Sequence, residues 1–268
     1  MHDGLGARYD FAAVDRGDTD EHVAMMDATD AWPAVQAARA WVLDQVDVER
    51  DDVVVDAGCG PGTFGAVAGD RGAAAVDLDR SFAMLGEARR RHAEARPVAA
   101  DVAYLPLRNG AARLVRAERV LQWTVDPYAA LAELRRVTAP GGWTAVTDTD
   151  WGAFAVEHPD PHGSVRLAGA ARCWLPHPLL AVGIADALAS LGAVEPRVRT
   201  DTVVITAWDP DDPAQRAGPP GLPLRAIAGA GAPEDRAVLD RDLEVLVDLA
   251  RGGAFRATLM LVTVVARA

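Results

Sequence analysis

Short apolar runs alternate with segments of helical apolar spacing over the first 150 residues of the chain. The run Val53–Val55 leads through Asp56 into a glycine turn, and 73–79, 97–101 and 112–118 are further strand candidates. The segments with helical spacing are 31–46, 63–71, 81–95 and 127–139. Strands that alternate with helices in this way predict crossover units and a doubly wound, mostly parallel sheet.

The rhythm changes after a fifth strand, 143–151, which follows a Pro-Gly-Gly stop. Residues 1–30 look polar and irregular, and 151–178, rich in His, Pro and Gly, are typical of an insertion. The remaining elements are a helix at 178–192, a strand at 196–208, a loop at 209–233, an amphipathic helix at 234–253 and a strand at 255–267. We therefore predict one α/β domain over 1–268, a Rossmann-like sheet of seven strands with an antiparallel last strand. Its core lies at about 31–150, and a helical lid comes from about 1–30, 151–178 and 209–251.

Composition narrows the possible partners and compartment. The formal net charge is -12, which argues against nucleic acid and against an anionic membrane surface. Cys59, one of two cysteines, lies inside the glycine turn, a poor place for a disulfide, so we expect a reducing cytosol. The beginning lacks the apolar core of a signal peptide, and the run 259–266 is too short to cross a bilayer. These features predict a soluble, cytoplasmic protein, either monomer or homodimer.

The glycine turn is the strongest chemical signal. A strand, a glycine turn and a helix place backbone N–H groups at the carboxyl end of a strand, where open α/β sheets bind ligands. A dinucleotide fingerprint needs Gly or Ala where Thr63 follows Gly58, Gly60 and Gly62. An NAD-dependent oxidoreductase is therefore a disfavoured alternative.

Four stretches of the chain together form a further pattern, a series of motifs in a fixed order. They are 53–65, VDLDRSFAML, ADVAYLPL, and the run from RVLQW through the Pro-Gly-Gly turn into strand five. Together they cover roughly residues 50–147. The pattern resembles the class I S-adenosylmethionine-dependent methyltransferases, in particular those of ubiquinone and menaquinone biosynthesis and of natural-product tailoring. The resemblance implies S-adenosylmethionine as cofactor and S-adenosylhomocysteine as product.

The resemblance also implies roles for individual residues. At the methionine and sugar end these are Asp56, which orients the loop, Gly58 and Gly60, which admit the cofactor, and Glu118 as a neighbour. Asp77 is the implied ribose ligand, because a carboxylate accepts both hydroxyls of a diol. The implied adenine contacts are the Leu78 side chain, the Asp101 carboxylate and the Val102 N–H.

The acceptor side is less defined. An acceptor atom that is aligned behind a sulfonium methyl group needs little further catalysis. If the acceptor is a hydroxyl or an acidic carbon, a general base would help, and Asp150 and His158 are the candidates. Candidates for acceptor binding are Tyr9, Trp151, Phe154 and Trp174, with ordinary packing as the alternative. No metal is expected. We predict O-, C- or N-methylation of a small aromatic or apolar metabolite. The open alternatives are a relative that keeps the cofactor for another step such as cyclisation, and a non-catalytic binding protein.

Overall fold

A seven-stranded sheet organises the chain. The structure, a computed structural model, describes residues 14–15, 19–92, 95, 97–173, 175–212, 215 and 233–268. The strands are β1 (Val53–Ala57), β2 (Ala74–Asp79), β3 (Val98–Ala99), β4 (Ala112–Glu118), β5 (Thr138–Val156), β6 (Val194–Ile205) and β7 (Ala257–Arg267). The α-helices are α1 (Thr19–Asp30), α2 (Pro33–Val46), α3 (Thr63–Asp70), α4 (Phe82–Arg91), α5 (Pro127–Val137), α6 (Pro161–Cys173), α7 (Ile184–Ser190) and α8 (Pro233–Arg251). Single 3₁₀ turns lie at Leu121–Trp123 and Leu180–Gly183.

The strand order is β3-β2-β1-β4-β5-β7-β6. Strand β1 pairs in parallel with β2 and β4, and the β2–β3 and β4–β5 pairs are also parallel. Strand β7 runs antiparallel to β5: the Ala268 N–H donates to the Gly142 carbonyl, and the hydroxyls of Thr147 and Thr263 lie 3.0 Å apart. The predicted Rossmann-like sheet with an antiparallel last strand is confirmed.

The central strands are buried on both faces, as the apolar runs Val53–Val55 of β1 and Leu114–Val115 of β4 predict. Val55 of β1 and Val115 of β4 have no exposed surface, and their neighbours Val54 and Leu114 are equally enclosed. The core around them also includes Leu43 of α2, Phe64 of α3, Trp143 of β5 and Val265 of β7. The core thus fixes β1 and β4 side by side, and with them the segments that follow their carboxyl ends.

The chain divides into two compact units. One unit comprises 35–149, 180–201 and 261–268 and contains the core just described. The other comprises 1–34, 150–179 and 202–260. Within the second unit α6 packs on α8, and the rings of Trp208 and Phe255 lie 5.2 Å apart between centroids.

Three local expectations are corrected by the structure. Residues 19–30, expected to be irregular, form helix α1. The third strand is only Val98–Ala99 rather than 97–101. The Pro-Gly-Gly stop lies inside β5, which begins at Thr138 and accommodates the extra residues through a register shift opposite Ala112 and Leu114. Within the described part of the chain, no helix has the combined length and apolarity required to cross a bilayer.

We predict that Leu114→Ala lowers the free energy of unfolding by about 2–5 kcal/mol, because it leaves a cavity at a fully buried position of β4. Val125→Ala, at a position 97% exposed, is the matched control and changes the free energy by less than about 0.5 kcal/mol. Urea unfolding of both variants measures the difference. Equal losses would show that β4 is not the centre of the core.

Candidate functional site

The glycine turn after β1 is held by the end of β2. Gly58, Gly60 and Gly62 all have positive φ, and a side chain at Gly58 would collide with Val120. The N–H groups of Gly58 and Cys59 both donate to the Leu78 carbonyl, at 2.6 and 2.9 Å. The turn is therefore fixed by main-chain contacts between neighbouring parallel strands.

Asp79, the last residue of β2, completes this arrangement. Its carboxylate accepts the N–H of Gly60 at 2.9 Å and that of Ser81 at 2.8 Å, and it is partly exposed. Ser81 in turn caps α4 by accepting the Met84 N–H at 3.1 Å. A carboxylate thus stands at the strand end, directly against the glycine turn.

Asp77 lies deeper than expected for a ribose ligand. Its side chain is only 4% exposed, and a side chain at Gly65 of α3 would collide with its carboxylate. Leu78, expected against adenine, is 1% exposed. Two residues further along the chain, Asp79 is partly exposed and Arg80 is exposed. Since side chains point alternately to the two faces of a strand, Asp77 and Asp79 lie on the same face of β2. They differ in burial, and Asp77 is the more buried of the two.

Three ionisable side chains form a row across the sheet at the depth of Asp77. Asp77 of β2 is in register with Asp56 of β1, which is in register with Arg116 of β4. Arg116 pairs with Asp56 at 3.2 Å and lies over the Phe64 ring of α3, 3.7 Å from its centroid. We call these three residues the buried row, and α3 covers it through Phe64 and Gly65.

Glu118, at the end of β4, is enclosed by arginines. Arg39 of α2 binds it with two nitrogens, and Arg116 and Arg119 form further ion pairs. Burial alone would raise the pKa of Glu118, but the guanidinium groups of Arg116, Arg39 and Arg119 outweigh it and hold the pKa well below its usual range. Glu118 is therefore a permanent anion at this strand end.

The turn after β3 carries the residues expected at adenine. Asp101 is exposed and its carboxylate accepts the Ala103 N–H at 2.9 Å, while Val102 is buried. Arg136 of α5 donates to the carbonyls of Leu105 and Leu107, which holds the rest of this turn against α5. The acidic side chain at the tip is thus presented on a fixed backbone.

Asp148 of β5 supports the 3₁₀ turn that follows β4. Its side chain has no exposed surface and accepts the N–H groups of Gln122 and Thr149, each at 3.1 Å. Burial raises the pKa of Asp148 to about 7, although these backbone hydrogen bonds favour the charged form. Its position fixes the backbone at Leu121–Trp123.

Three further predicted residues lie together in the other unit. Asp150 is 7% exposed and accepts the Gly152 N–H at 2.8 Å. Trp151 and Phe154 are both buried, with ring centroids 5.6 Å apart. The aromatic pair is therefore packed in the interior, which suits a structural role at least as well as a binding role.

Among the described residues, His158 is hydrogen-bonded through Nδ1, and its Nε2 has no hydrogen-bond partner. Nδ1 accepts the Asp160 N–H at 3.0 Å, and Nε2 is buried 4.0 Å from a carboxylate oxygen of Asp242. Arg166 of α6 binds the same Asp242 carboxylate through two nitrogens, at 2.6 and 2.8 Å. Because neither nitrogen is presented outward, this geometry favours a role in joining α6 to α8 over acid–base work.

Tyr9 and Trp174, the other candidates for acceptor binding, lie outside the described residues. Among the residues that are described, no three His, Cys, Asp or Glu side chains are grouped to hold a metal ion.

Sequence reasoning missed Asp79, Arg116 and Asp148. For Asp79 the signal was Ser81, whose capping position fixes where β2 ends. For Arg116 the signal was a charge directly between the apolar residues Val115 and Ala117 of β4. Asp148 gave no signal, because its role depends on a turn brought close by the fold.

The donor set fits a cationic nucleoside cofactor better than a dinucleotide. The N–H groups of Gly58, Cys59 and Gly60 are already engaged, and Asp79 places a negative charge at the turn, where a pyrophosphate would need free amides. A ribose diol and an ammonium group are instead served by carboxylates.

Comparisons with known proteins agree with this geometry. Residues 55–146 match a family described as a methyltransferase domain. The chain is 32% identical to a trans-aconitate 2-methyltransferase of Methylobacterium radiotolerans, over 72% of this chain and 84% of that protein. It is 37% identical to a malonyl-[acyl-carrier protein] O-methyltransferase of Pseudescherichia vulneris, over 44% of this chain and 47% of that protein. The chain spans less than half the length of the first two curated relatives that it matches, one of which is the malonyl-[acyl-carrier protein] O-methyltransferase.

A solved structure shares the fold at low identity. Geranyl diphosphate C-methyltransferase from Streptomyces coelicolor, solved with Mg²⁺, geranyl diphosphate and S-adenosyl-L-homocysteine, superimposes with a TM-score of 0.52. The alignment covers 87% of this chain and 78% of that chain, at 18% identity.

We predict that Gly58→Ala destabilises the protein by about 1–3 kcal/mol, because Gly58 combines a positive φ with the collision against Val120. Gly69→Ala in α3 is the control: a side chain there meets no atom within 4 Å, and alanine favours helix, so stability stays level or rises slightly. Thermal unfolding compares the two. A tolerated Gly58→Ala would mean that the turn is looser than described.

We also predict a pH dependence of stability through Asp148. Its pKa is higher in the folded chain than in the unfolded chain, so its contribution is complete below about pH 4 and is lost as pH rises through about 7. Asp148→Asn should therefore flatten the fall in unfolding free energy between pH 5 and pH 7 by up to about 1.4 kcal/mol per pH unit. Denaturant unfolding at each pH measures this slope. Asp70→Asn, an exposed control, should keep the wild-type slope, and an unchanged slope in Asp148→Asn would refute the assignment.

Proposed function

Because this chain belongs to the class I S-adenosylmethionine-dependent methyltransferases, we propose that it transfers the methyl group of S-adenosylmethionine to a small-molecule acceptor and leaves S-adenosylhomocysteine. The observation that carries the proposal is the glycine turn, whose N–H groups are bound to the Leu78 carbonyl and to Asp79, a carboxylate that is partly exposed beside the turn. A sulfonium cofactor supplies an electrophilic methyl group, so the protein's task is to bind, to align and to exclude water.

We assign the ribose hydroxyls to Asp79 in place of Asp77. Asp79 is partly exposed at the strand end and adjoins Gly60, whereas Asp77 is buried under Gly65. The same two-residue shift gives the adenine face to Arg80 instead of Leu78.

The remaining cofactor residues keep their proposed roles. Gly58 and Gly60 allow close approach of the main chain, and Asp56 and Glu118 supply negative charge for the ammonium group. Asp101 and the Val102 N–H would bind adenine, on a turn held by Arg136.

On the acceptor side the proposal favours Asp150 over His158 as general base. Asp150 uses one oxygen for the Gly152 N–H and retains a second, whereas both nitrogens of His158 face neighbouring groups. Trp151 and Phe154, with Tyr9 and Trp174, would favour an aromatic or apolar metabolite. The net charge of -12 and the free thiols of Cys59 and Cys173 support a cytoplasmic protein without nucleic-acid partners.

A second candidate is O-methylation of a carboxylic acid. Two relatives are named for trans-aconitate and malonyl-[acyl-carrier protein], which both carry a free carboxylate. The match to the trans-aconitate methyltransferase extends over 72% of this chain. Carboxylates are already nucleophilic, so such a reaction would need alignment without a base.

We predict that Asp79→Asn weakens binding of S-adenosylmethionine and of S-adenosylhomocysteine at least tenfold, because one acceptor of the ribose diol becomes neutral. Isothermal titration calorimetry measures both affinities. Asp70→Asn, an exposed change on α3, is the matched control and should bind as the wild type does. Absence of binding by folded wild-type protein would remove the cofactor assignment.

Acceptors are then tested by mass. Incubation with S-adenosylmethionine and panels of phenols, quinones and di- or tricarboxylates should give one product heavier by a methyl group. A product of unchanged mass would instead support the cyclisation alternative, and cofactor binding without any product would support a binding protein.

A further inference from the structure

The buried row contains two acids, Asp77 and Asp56, and one base, Arg116. Asp56 pairs with Arg116, and Glu118 is surrounded by Arg39, Arg116 and Arg119. Among the described residues Asp77 makes no ion pair, and its Oδ1 has no hydrogen-bond partner although the side chain is 4% exposed. An anion in that position would have no cation in direct contact among the described residues, and burial of such a group favours its neutral, protonated form.

The surroundings of Asp77 leave few groups that could neutralise it. From β1 it faces Asp56, which adds negative charge, and from β4 the Arg116 guanidinium acts across Asp56. Helix α3 covers it with Gly65, and the Cys59 thiol of the glycine turn is close enough to interact. The remaining carboxylate on its own strand, Asp79, is turned to the N–H groups of Gly60 and Ser81.

We propose that Asp77 is a proton-holding site that is neutral in the free protein and releases its proton to solvent when the cationic cofactor binds at the glycine turn. The inference rests on the proposed cofactor site and deepens it. Asp77 acts there as a positioning residue, supplying a negative charge beneath the turn only in the bound state.

The proton balance is simple. The O–H bond of the Asp77 carboxyl group breaks, the proton passes to water or buffer, and the electron pair remains as a carboxylate that compensates the cofactor's positive charge. A unit charge within about 8 Å of a buried carboxyl group changes its dissociation constant more than tenfold.

The ionisation properties of the row agree with this proposal. Burial, reinforced by the Asp56 carboxylate and opposed by Arg116, raises the pKa of Asp77 to about 7. Burial raises the pKa of Asp56 as well, but Arg116, in direct contact, opposes that change most strongly. Because Arg116 contacts Asp56 directly, whereas Asp77 makes no ion pair among the described residues, we assign the proton to Asp77.

Calorimetry tests the proposal without an activity assay. Wild-type protein is titrated with S-adenosylmethionine at pH 6.5 in buffers of different ionisation enthalpy, and the slope of the observed enthalpy gives the number of protons released. We expect roughly 0.7 proton from Asp77, the fraction protonated for a group with pKa about 7. In Asp77→Asn this release should disappear while binding persists.

The amino group of the cofactor also exchanges protons, so the difference between wild type and Asp77→Asn is the quantity of interest. Asp70→Asn on α3 is the matched control and should release as many protons as the wild type. Equal proton release by the wild type and by Asp77→Asn would overturn the proposal. Failure of wild-type protein to bind at all would instead overturn the cofactor site.

A second measurement uses affinity. The quantity measured is the dissociation constant of the wild type divided by that of Asp77→Asn. Between pH 6 and pH 8 this ratio should fall about tenfold, because at the higher pH Asp77 has already lost its proton before the cofactor binds. A ratio independent of pH would contradict the proposal. If Asp77→Asn does not fold, Asp77→Ser serves as the second neutral variant in both experiments.

Discussion

A permanent positive charge in the middle of the sheet is the constraint on which the site depends. Arg116 lies on a central strand, is 4% exposed, and must be neutralised by groups that the fold brings to it. Asp56 and Glu118 do so from the ends of β1 and β4, and Phe64 at the start of α3 stacks on the guanidinium. Buried ion pairs add little net stability, but losing one partner is costly. Arg116 therefore contributes geometry: it ties both strand ends and the helix after the glycine turn into one arrangement.

That arrangement explains how far the sequence could predict the site. The strand, glycine turn and helix were predictable because an apolar run and clustered glycines have few structural solutions. The degree of burial of each carboxylate was not predictable from the sequence. Asp77 and Asp79 lie two residues apart on one face of β2, so periodicity treats them alike. Only the end of the strand separates them, and the cap at Ser81 sets that end. The two-residue difference between the predicted ribose ligand, Asp77, and the proposed one, Asp79, arises because the sequence alone does not show which carboxylate ends the strand.

The incorrectly predicted elements have local causes. Helix α1 buries His22, Met25 and Thr29, a helical stripe with a single apolar member, so its sequence looked irregular. The Pro-Gly-Gly segment resembled a stop, since proline removes a strand hydrogen bond. In β5 it lies where three residues of β4, Ala112 to Leu114, are opposite the six residues 138–143 of β5, and Gly141 has a positive φ there. A bulge accommodates the residues that would interrupt a regular ladder.

Two enclosed side chains, His158 and Asp77, differ in the charges that the fold places around them. Among the described residues each has one buried atom without a hydrogen-bond partner, Nε2 of His158 and Oδ1 of Asp77, but the imidazole lies beside the Asp242 carboxylate, whose charge Arg166 balances. Asp77 has no such compensation, and its nearest charged neighbour in register is another acid. Because ionisation depends on the charges that the fold places around a group, we assign the proton to the carboxyl group beneath the glycine turn.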